Sequence, residues 1–303
     1  MRIGVDLGGT KIEFIALAKD GNILANMRLP TPRGDYDATI EAIRAGVAEV
    51  ETQTAETGSV GIGIPGTLSP ATGLIKNANS TWLIGRPLDR DLESALGRPV
   101  RLSNDANCFT LSEASDGAGV GFDVVFGVIL GTGVGGGISV AGYPLQGTNG
   151  IAGEWGHNPL PWPERNEVPG APCYCGRNGC IETFLSGPAV SRMFEAAGGS
   201  ELPVETIVQK ALEGDLLAKH MIELYENRLA RALAHVINIL DPDAIVLGGG
   251  LSNIDRLYEN VPALWQRWVF SDRVDTPLLP PTHGDSSGVR GAAWLWPESN
   301  QTA

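Results

Sequence analysis

Twice along the chain an apolar strand-forming run breaks at a glycine turn and resumes as a second strand. Arg2 to Leu7 leads into Gly8-Gly9 and then Ile12 to Leu17, and Val124 to Leu130 leads into residues 131–137 and then Ile138 to Val140. Short continuous runs of β-branched and aliphatic residues bounded by turn formers read as buried strands. The recurrence points to two α/β units built on one theme, and 303 residues are enough for two domains of ordinary size.

The connecting segments fit that frame. Asp20-Gly21 turns the chain into a third strand, Asn22 to Leu29. A helix is expected from about Asp37, with Ile40, Ile43, Val47 and Val50 on one face, followed by a strand at Val60 to Ile64. Leu88 to Leu96 reads as a helix started by Pro87 and stopped by Gly97, and the strand Val100 to Ser103 runs into Asn104-Asp105. Residues 159–179 are rich in Pro and Gly without periodicity and read as an irregular insertion. A long helix from Asp215 carries the stripe Met221, Tyr225, Leu229, Leu233, Ile237 and stops before Pro242; Ala244 to Leu247 is then a strand ending in Gly248-Gly249-Gly250.

A net charge of −13 repels phosphates at a distance, which speaks against nucleic acid and anionic membrane as partners and requires any phosphate ligand to be held by a local site. No apolar run approaches the ~18 to 20 residues of a membrane span. Met1 to Asp6 reaches an acidic residue at once, leaving no room for an apolar signal segment, so a soluble cytoplasmic protein is expected.

Four groups of residues carry candidate chemistry. In Asp6-Leu7-Gly8-Gly9-Thr10-Lys11 the glycines let backbone N–H groups turn toward an anion, and Thr10 and Lys11 add a hydroxyl and a charge. Asp6 beside phosphates would require Mg²⁺ between them, bound directly or through water; the alternative is a plain hairpin with an exposed lysine. Gly131, Gly133 and Gly136 formally match G-x-G-x-x-G, as do Gly61, Gly63 and Gly66, but with 40 glycines such matches are cheap. A dinucleotide site needs a helix after the loop, and a β-branched segment follows 131–137 instead, leaving a second phosphate hairpin or a bend in a sheet. Gly248 to Gly250 would let an adenine or ribose lie against bare backbone, or form an ordinary strand-to-helix turn. No Walker P-loop is present.

Asn104-Asp105-Ala106-Asn107 lies at the carboxyl end of a strand, where ligands of α/β sheets bind, so Asp105 is placed to act as a base. Asp105 capping the next helix is the alternative. Of the four cysteines, Cys173, Cys175 and Cys180 fall within eight residues and, with His157, make a complete tetrahedral set for a structural Zn²⁺, the alternative being three unrelated buried cysteines and an ordinary histidine. Cys108 reads as a small buried apolar residue. Glu154 and Glu182 bracket the cluster and would be drawn together around it, forming a scaffold for a polyol.

With these residues assembled, the chain resembles, nearly end to end, the ROK family of sugar kinases and repressors within the actin, hexokinase and heat-shock-chaperone superfamily. Asp6 to Lys11 is similar to the family's first phosphate motif and Gly131-Thr132-Gly133 to its second. Residues 154–157 with 173–182 resemble its zinc-and-sugar signature. The resemblance implies two actin-like (ribonuclease-H-like, hexokinase-type) α/β domains around a cleft. The first would span 1–115, joined by a C-terminal helix at about 288–303, and the second 116–287, with a zinc-binding insertion at about 157–182. It implies ATP with Mg²⁺ as cofactors beside Zn²⁺, a homodimer, and a hexose held by Gly66, Asn79, Asn104, Asp105, Glu154, His157 and Glu182, with Asp105 taking the proton. Residues 77–83, 153–162 and 283–290 are very similar to bacterial manno(fructo)kinases, which implies fructose, converted to fructose 6-phosphate, with mannose second. N-acetylglucosamine and glucose kinases share the signature residues and stand as alternatives. So do the family's sugar-sensing repressors, which carry a helix-turn-helix ahead of the phosphate motif that here starts at residue 6.

Overall fold

The fold is described from a computed structural model over residues 1–297, the side chain of Asp285 excepted. The chain forms two compact units. One comprises residues 1–123, 137–152 and the C-terminal segment from Thr282; the other comprises 124–136 and 153–281. Residues 116–123 and 137–152, counted with the second lobe on sequence, group with the first unit.

In the first unit, β1 (Arg2–Leu7), β2 (Lys11–Leu17) and β3 (Ile23–Pro30) form the antiparallel meander anticipated from the turns at 8–9 and 20–21. Helix α1 (Tyr36–Thr54), capped by Asp35 on Ala38 N, carries the chain to β4 (Ser59–Ile64), parallel to β1. A small hairpin, β5 (Thr67–Leu68) and β6 (Ile75–Lys76), and helix α2 (Leu88–Leu96) precede β7 (Val100–Asn104), parallel to β4. The sheet order is β3-β2-β1-β4-β7. Parallel β1, β4 and β7 therefore end on one edge, which brings together Asp6, Pro65 and Asn104-Asp105 from distant parts of the sequence. Helix α3 (Asp105–Asp116) starts directly at that edge.

Glycines decide how tightly the C-terminal helix Ser287–Trp294 docks on this sheet and on α3. A Cβ on Gly4 would run into Val289 O, one on Gly61 into Ala292 O, and one on Gly291 into the backbone of Cys108. Cys108 is fully buried there, as the sequence suggested. The expected helix of about 288–303 is described only to Trp294, and residues 298–303 lie outside the described part. The C-terminal tryptophans are used within the chain: Trp265 is buried, Arg2 stacks over Trp294, and Arg101 stacks over Trp296, whose Nε1 donates to Val60 O.

The second sheet has the order β10-β9-β8-β11-β12, with β8 (Val124–Leu130), β9 (Val134–Val140), β10 (Tyr143–Pro144), β11 (Ala244–Gly248) and β12 (Leu278–Leu279). Strand β11 is parallel to both β8 and β12. Strand β9 begins four residues earlier than the sequence suggested, so the glycine turn shrinks to residues 131–133. Gly136 and Gly137 are strand residues that need bare backbone: a Cβ on Gly136 would meet Trp155, and one on Gly137 would meet Ala106 O of α3.

Four helices follow the insertion: α4 (Glu182–Leu185), α5 (Gly187–Ala196), α6 (Val204–Leu212) and α7 (Leu216–Leu240), with α8 (Leu257–Trp265) after β11. The long α7 is capped by Asp215 and ends at Asp241 in the left-handed region, one residue before Pro242. Among the described residues no helix is long and apolar enough to cross a membrane.

Candidate active site

On the first unit, Asp6, Gly8, Gly9, Arg33, Asn79 and Asp105 line a pocket of about 480 Å³ together with Leu7, Pro65, Ser80 and Trp82. The β1–β2 turn is closed by Gly8 N donating to Lys11 O at 3.0 Å, and Thr31 braces it with its hydroxyl on Gly8 O at 2.7 Å. Arg33 Nε donates to Gly9 O at 2.7 Å, which puts a guanidinium at the turn. Nothing in the local pattern around Arg33 marked it, because its partner lies 24 residues earlier. Lys11 Nζ faces Glu13 at 3.4 Å, and Glu13 also pairs with Arg28.

The cap of α3 is Asn104, whose Oδ1 accepts from Asn107 N at 2.8 Å. Asp105 is the first helical residue, with Oδ1 accepting from its neighbour Ala106 N at 2.8 Å, and it faces the pocket. Asn104 itself lines a second cavity of about 210 Å³ with Asn107, Gln146 and Gly150. The Asp6 carboxyl is pushed up to about 6 by loss of hydration and then by the negative charges of Asp105 and Glu13, with Lys11 opposing. A carboxylate such as Asp6 at the edge of a glycine turn is the kind of oxygen ligand a hard divalent cation takes beside phosphates. Gly66 follows Pro65, and a Cβ there would lie 2.8 Å from Ala78 Cβ; Asn79 N donates to Pro65 O, so Gly66 and Asn79 are neighbours.

On the second unit, the turn 131–133 is closed by Gly131 N on Gly133 O at 3.0 Å, and Gly131 O accepts from Gly187 N at 2.8 Å. That contact sets the start of α5, which the sequence reading had not singled out, beside the turn. Gly249 has φ +79°, and its missing Cβ makes room for Leu130 O, so the 248–250 and 131–133 glycine sets are side by side. Ser252 Oγ donates to Gly249 O at 2.7 Å and holds that turn.

His157, Cys173, Cys175 and Cys180 present ligand atoms that all lie within 4.8 Å of one another. Nδ1 of His157 is 3.5 Å from Cys173 Sγ, and the Cys175 and Cys180 sulfurs are 3.6 Å apart. One imidazole and three reduced thiols, gathered by a tight turn in which Gly176 N donates to Cys173 O, are a fitting set for Zn²⁺. Cys175 is drawn below the usual thiol range by a backbone hydrogen bond from Arg177. Glu154 immediately precedes the short helix Trp155–His157, which is held by Trp155 Nε1 on Gly135 O at 2.9 Å and by the edge-to-face contact of Trp155 with Phe126. Glu182 accepts from Val134 N at 3.0 Å, and a Cβ on Gly133 would stand 2.8 Å from its Oε2. Tyr174, which sequence reasoning passed over between two cysteines, places its hydroxyl 2.9 Å from His157 Nε2. Although the side chain as a whole is exposed, loss of hydration at the hydroxyl first, and then the charges of Glu182, Cys173 and Glu154, push its phenol up to about 12.

The insertion is anchored by a buried ion cluster. Glu167 accepts from Arg228 at 2.7 Å and from Arg231 at 2.8 and 2.9 Å, and Arg231 also donates to Trp162 O. Burial pushes the Glu167 carboxyl up, but the two guanidiniums outweigh it and hold it down at about 2.

Two α/β units, each with a strand–glycine turn–strand motif, and a His-Cys₃ cluster flanked by two glutamates define a hexokinase-type chain. Residues 2–299 match the ROK family, and the protein belongs to that family. It is 40% identical over 308 aligned residues, covering 97% of this chain and 98% of the relative, to an N-acetyl-D-glucosamine kinase of Pectobacterium atrosepticum. Its fold is similar to the ROK hexokinase of Thermus thermophilus, with TM-score 0.86, 30% identity and 97% of each chain covered. It is also similar to a ROK family glucokinase of Streptomyces griseus crystallised with glucose and AMPPNP, with TM-score 0.77, 30% identity, and 97% and 98% covered.

Proposed function

We propose that this protein is an ATP-dependent kinase of a free hexose, with Asp105 as the base that receives the proton of the sugar's primary hydroxyl. The observation that carries the reading is the placement of Asp105: at the end of β7, relieved of capping by Asn104, and in one pocket with Asp6 and the first glycine turn. As the hydroxyl oxygen forms its bond to the γ-phosphorus, the bond from phosphorus to the bridging oxygen of ADP breaks and the proton passes to Asp105. Positioning and charge neutralisation supply most of the acceleration in such transfers.

The turn 8–11 with Arg33, the turn 131–133 and the glycines 248–250 would hold the nucleotide. Asp6 would help hold Mg²⁺, which neutralises phosphate charge when bound. Gly66, Asn79, Asn104, Glu154, His157 and Glu182 would hold the sugar. His157 Nδ1 and the three cysteine sulfurs would bind Zn²⁺, a structural ion that fixes the 157–182 segment and with it His157 and Glu182. A similar glucokinase of Streptomyces griseus was crystallised with glucose and AMPPNP, which supports a sugar and an adenine nucleotide as the ligand classes.

N-acetylglucosamine is the favoured acceptor, because N-acetyl-D-glucosamine kinases are similar to this chain over nearly its whole length. Fructose, expected from the resemblance of segments 77–83, 153–162 and 283–290, with mannose second, stands behind it. ATP consumption coupled to a detecting enzyme, measured across N-acetylglucosamine, fructose, mannose and glucose, tests the class and ranks the sugars together. A signal with no sugar dependence would assign an ATPase instead, and sugar binding without ATP turnover would assign a sensor. A homodimer, expected from the family resemblance, is part of the proposal and is checked by sedimentation.

A further inference from the structure

The imidazole of His157 is held at both nitrogens. Nδ1 faces Cys173 Sγ at 3.5 Å, while Nε2 is 2.9 Å from the Tyr174 hydroxyl, with the two rings edge to face at 89° and centroids 5.0 Å apart. A metal-ligating histidine gives one nitrogen to the ion and keeps its proton on the other, which must donate to an acceptor. With Nδ1 turned to the thiols, the donor is Nε2–H and its acceptor is the phenol oxygen. The carboxylates of Glu182 and Glu154 lie in the same field around that phenol. Tyr174 is thus in direct contact with one of the groups that the proposed function assigns to the sugar, His157, and feels the charge of two others. Unlike the ring it holds, it is 81% exposed, so it can swing away with little loss of packing.

We propose that Tyr174 is a further residue of the sugar site, whose hydroxyl occupies His157 Nε2 in the sugar-free protein and is displaced by a sugar hydroxyl on binding. The phenol accepts the imidazole N–H as an alcohol does, so it keeps the ring in the orientation the sugar needs. The contact is lost on binding, so it weakens sugar affinity by the worth of one hydrogen bond. The inference rests on the reading that a hexose binds at His157.

The test is sugar titration by calorimetry on the wild-type protein and on Tyr174→Phe, which keeps the ring edge and removes only the hydroxyl, with zinc content measured on both. Tyr174→Phe is expected to bind the preferred hexose about 2- to 10-fold tighter, with unchanged zinc. Equal or weaker sugar binding by a zinc-replete Tyr174→Phe overturns the inference and leaves the kinase reading intact. Loss of zinc in that variant overturns it too, by assigning the phenol to the metal cluster. A wild-type protein that binds none of the four hexoses overturns the functional reading, and this inference with it.

Discussion

Glu182 Oε2 accepts the backbone N–H of Val134 at 3.0 Å, so the carboxylate two residues beyond the last cluster cysteine closes against the glycine turn 131–133. One side chain thereby links the cluster that would hold zinc to the turn that would hold phosphate. Glu182→Gln keeps an oxygen for Val134 but removes the charge. A hydrogen bond to a charged group contributes ~1.5 to 3 kcal/mol. The variant should therefore retain its melting temperature and lose about 10- to 100-fold in kcat/KM for the sugar. Unchanged steady-state kinetics would remove Glu182 from the sugar site.

Asp105→Asn isolates the proposed base from the fold. The cap of α3 belongs to Asn104, so thermal stability should stay close to wild type. Removal of a general base costs ~10²- to 10⁴-fold, and the loss should appear in kcat with little change in sugar KM. Turnover at the wild-type rate would refute the mechanism.

The Glu167 cluster predicts a pH dependence of stability. Its carboxyl sits at about 2 in the folded protein, below the ~4.3 of an unperturbed glutamate. A depressed folded value adds stability that is fully present above the unfolded value and is lost as the pH falls from about 5 toward 2. Glu167→Gln should flatten that part of the melting-temperature profile. At neutral pH it should also destabilise the second unit by ~3 to 5 kcal/mol, because Arg228 and Arg231 are left buried without a countercharge. An acid limb identical to wild type would count against the cluster as its source.

What could be read from the sequence was whatever local chemistry decides. Pro87 and Gly97 bracket α2, Pro242 stops α7, and the spacing of Cys173, Cys175 and Cys180 brings them together with His157. The sequence left Asp105 open between a base and the cap of the next helix, and only the fold shows that its neighbour Asn104 is the cap. Gly136 and Gly137 read as loop because the reasons for them, Trp155 and α3, lie elsewhere in the chain. Arg33 and Tyr174 were missed for the same reason, since each matters through a partner at least 17 residues away. Sugar preference was least legible, as the residues proposed to hold the ring are the ones related kinases share.

The metal cluster yields the last prediction. Cys175 belongs to the turn closed by Gly176 N on Cys173 O, and its sulfur is 3.6 Å from that of Cys180. Cys175→Ser replaces a thiolate by a poorer zinc ligand while keeping the backbone turn possible. A structural zinc site contributes folding free energy and rarely persists once a ligand is lost. The 157–182 segment carries both His157 and Glu182, so its loosening should reach the sugar before it reaches the nucleotide turns. The expected result is zinc content far below wild type and a rise of at least about tenfold in sugar KM, with a smaller change in the KM for ATP. Prolonged chelation of the wild-type protein should reproduce this pattern, and zinc should restore the chelated protein but not the variant. A zinc-depleted protein with wild-type sugar KM would show that the cluster holds the insertion together without serving the pocket.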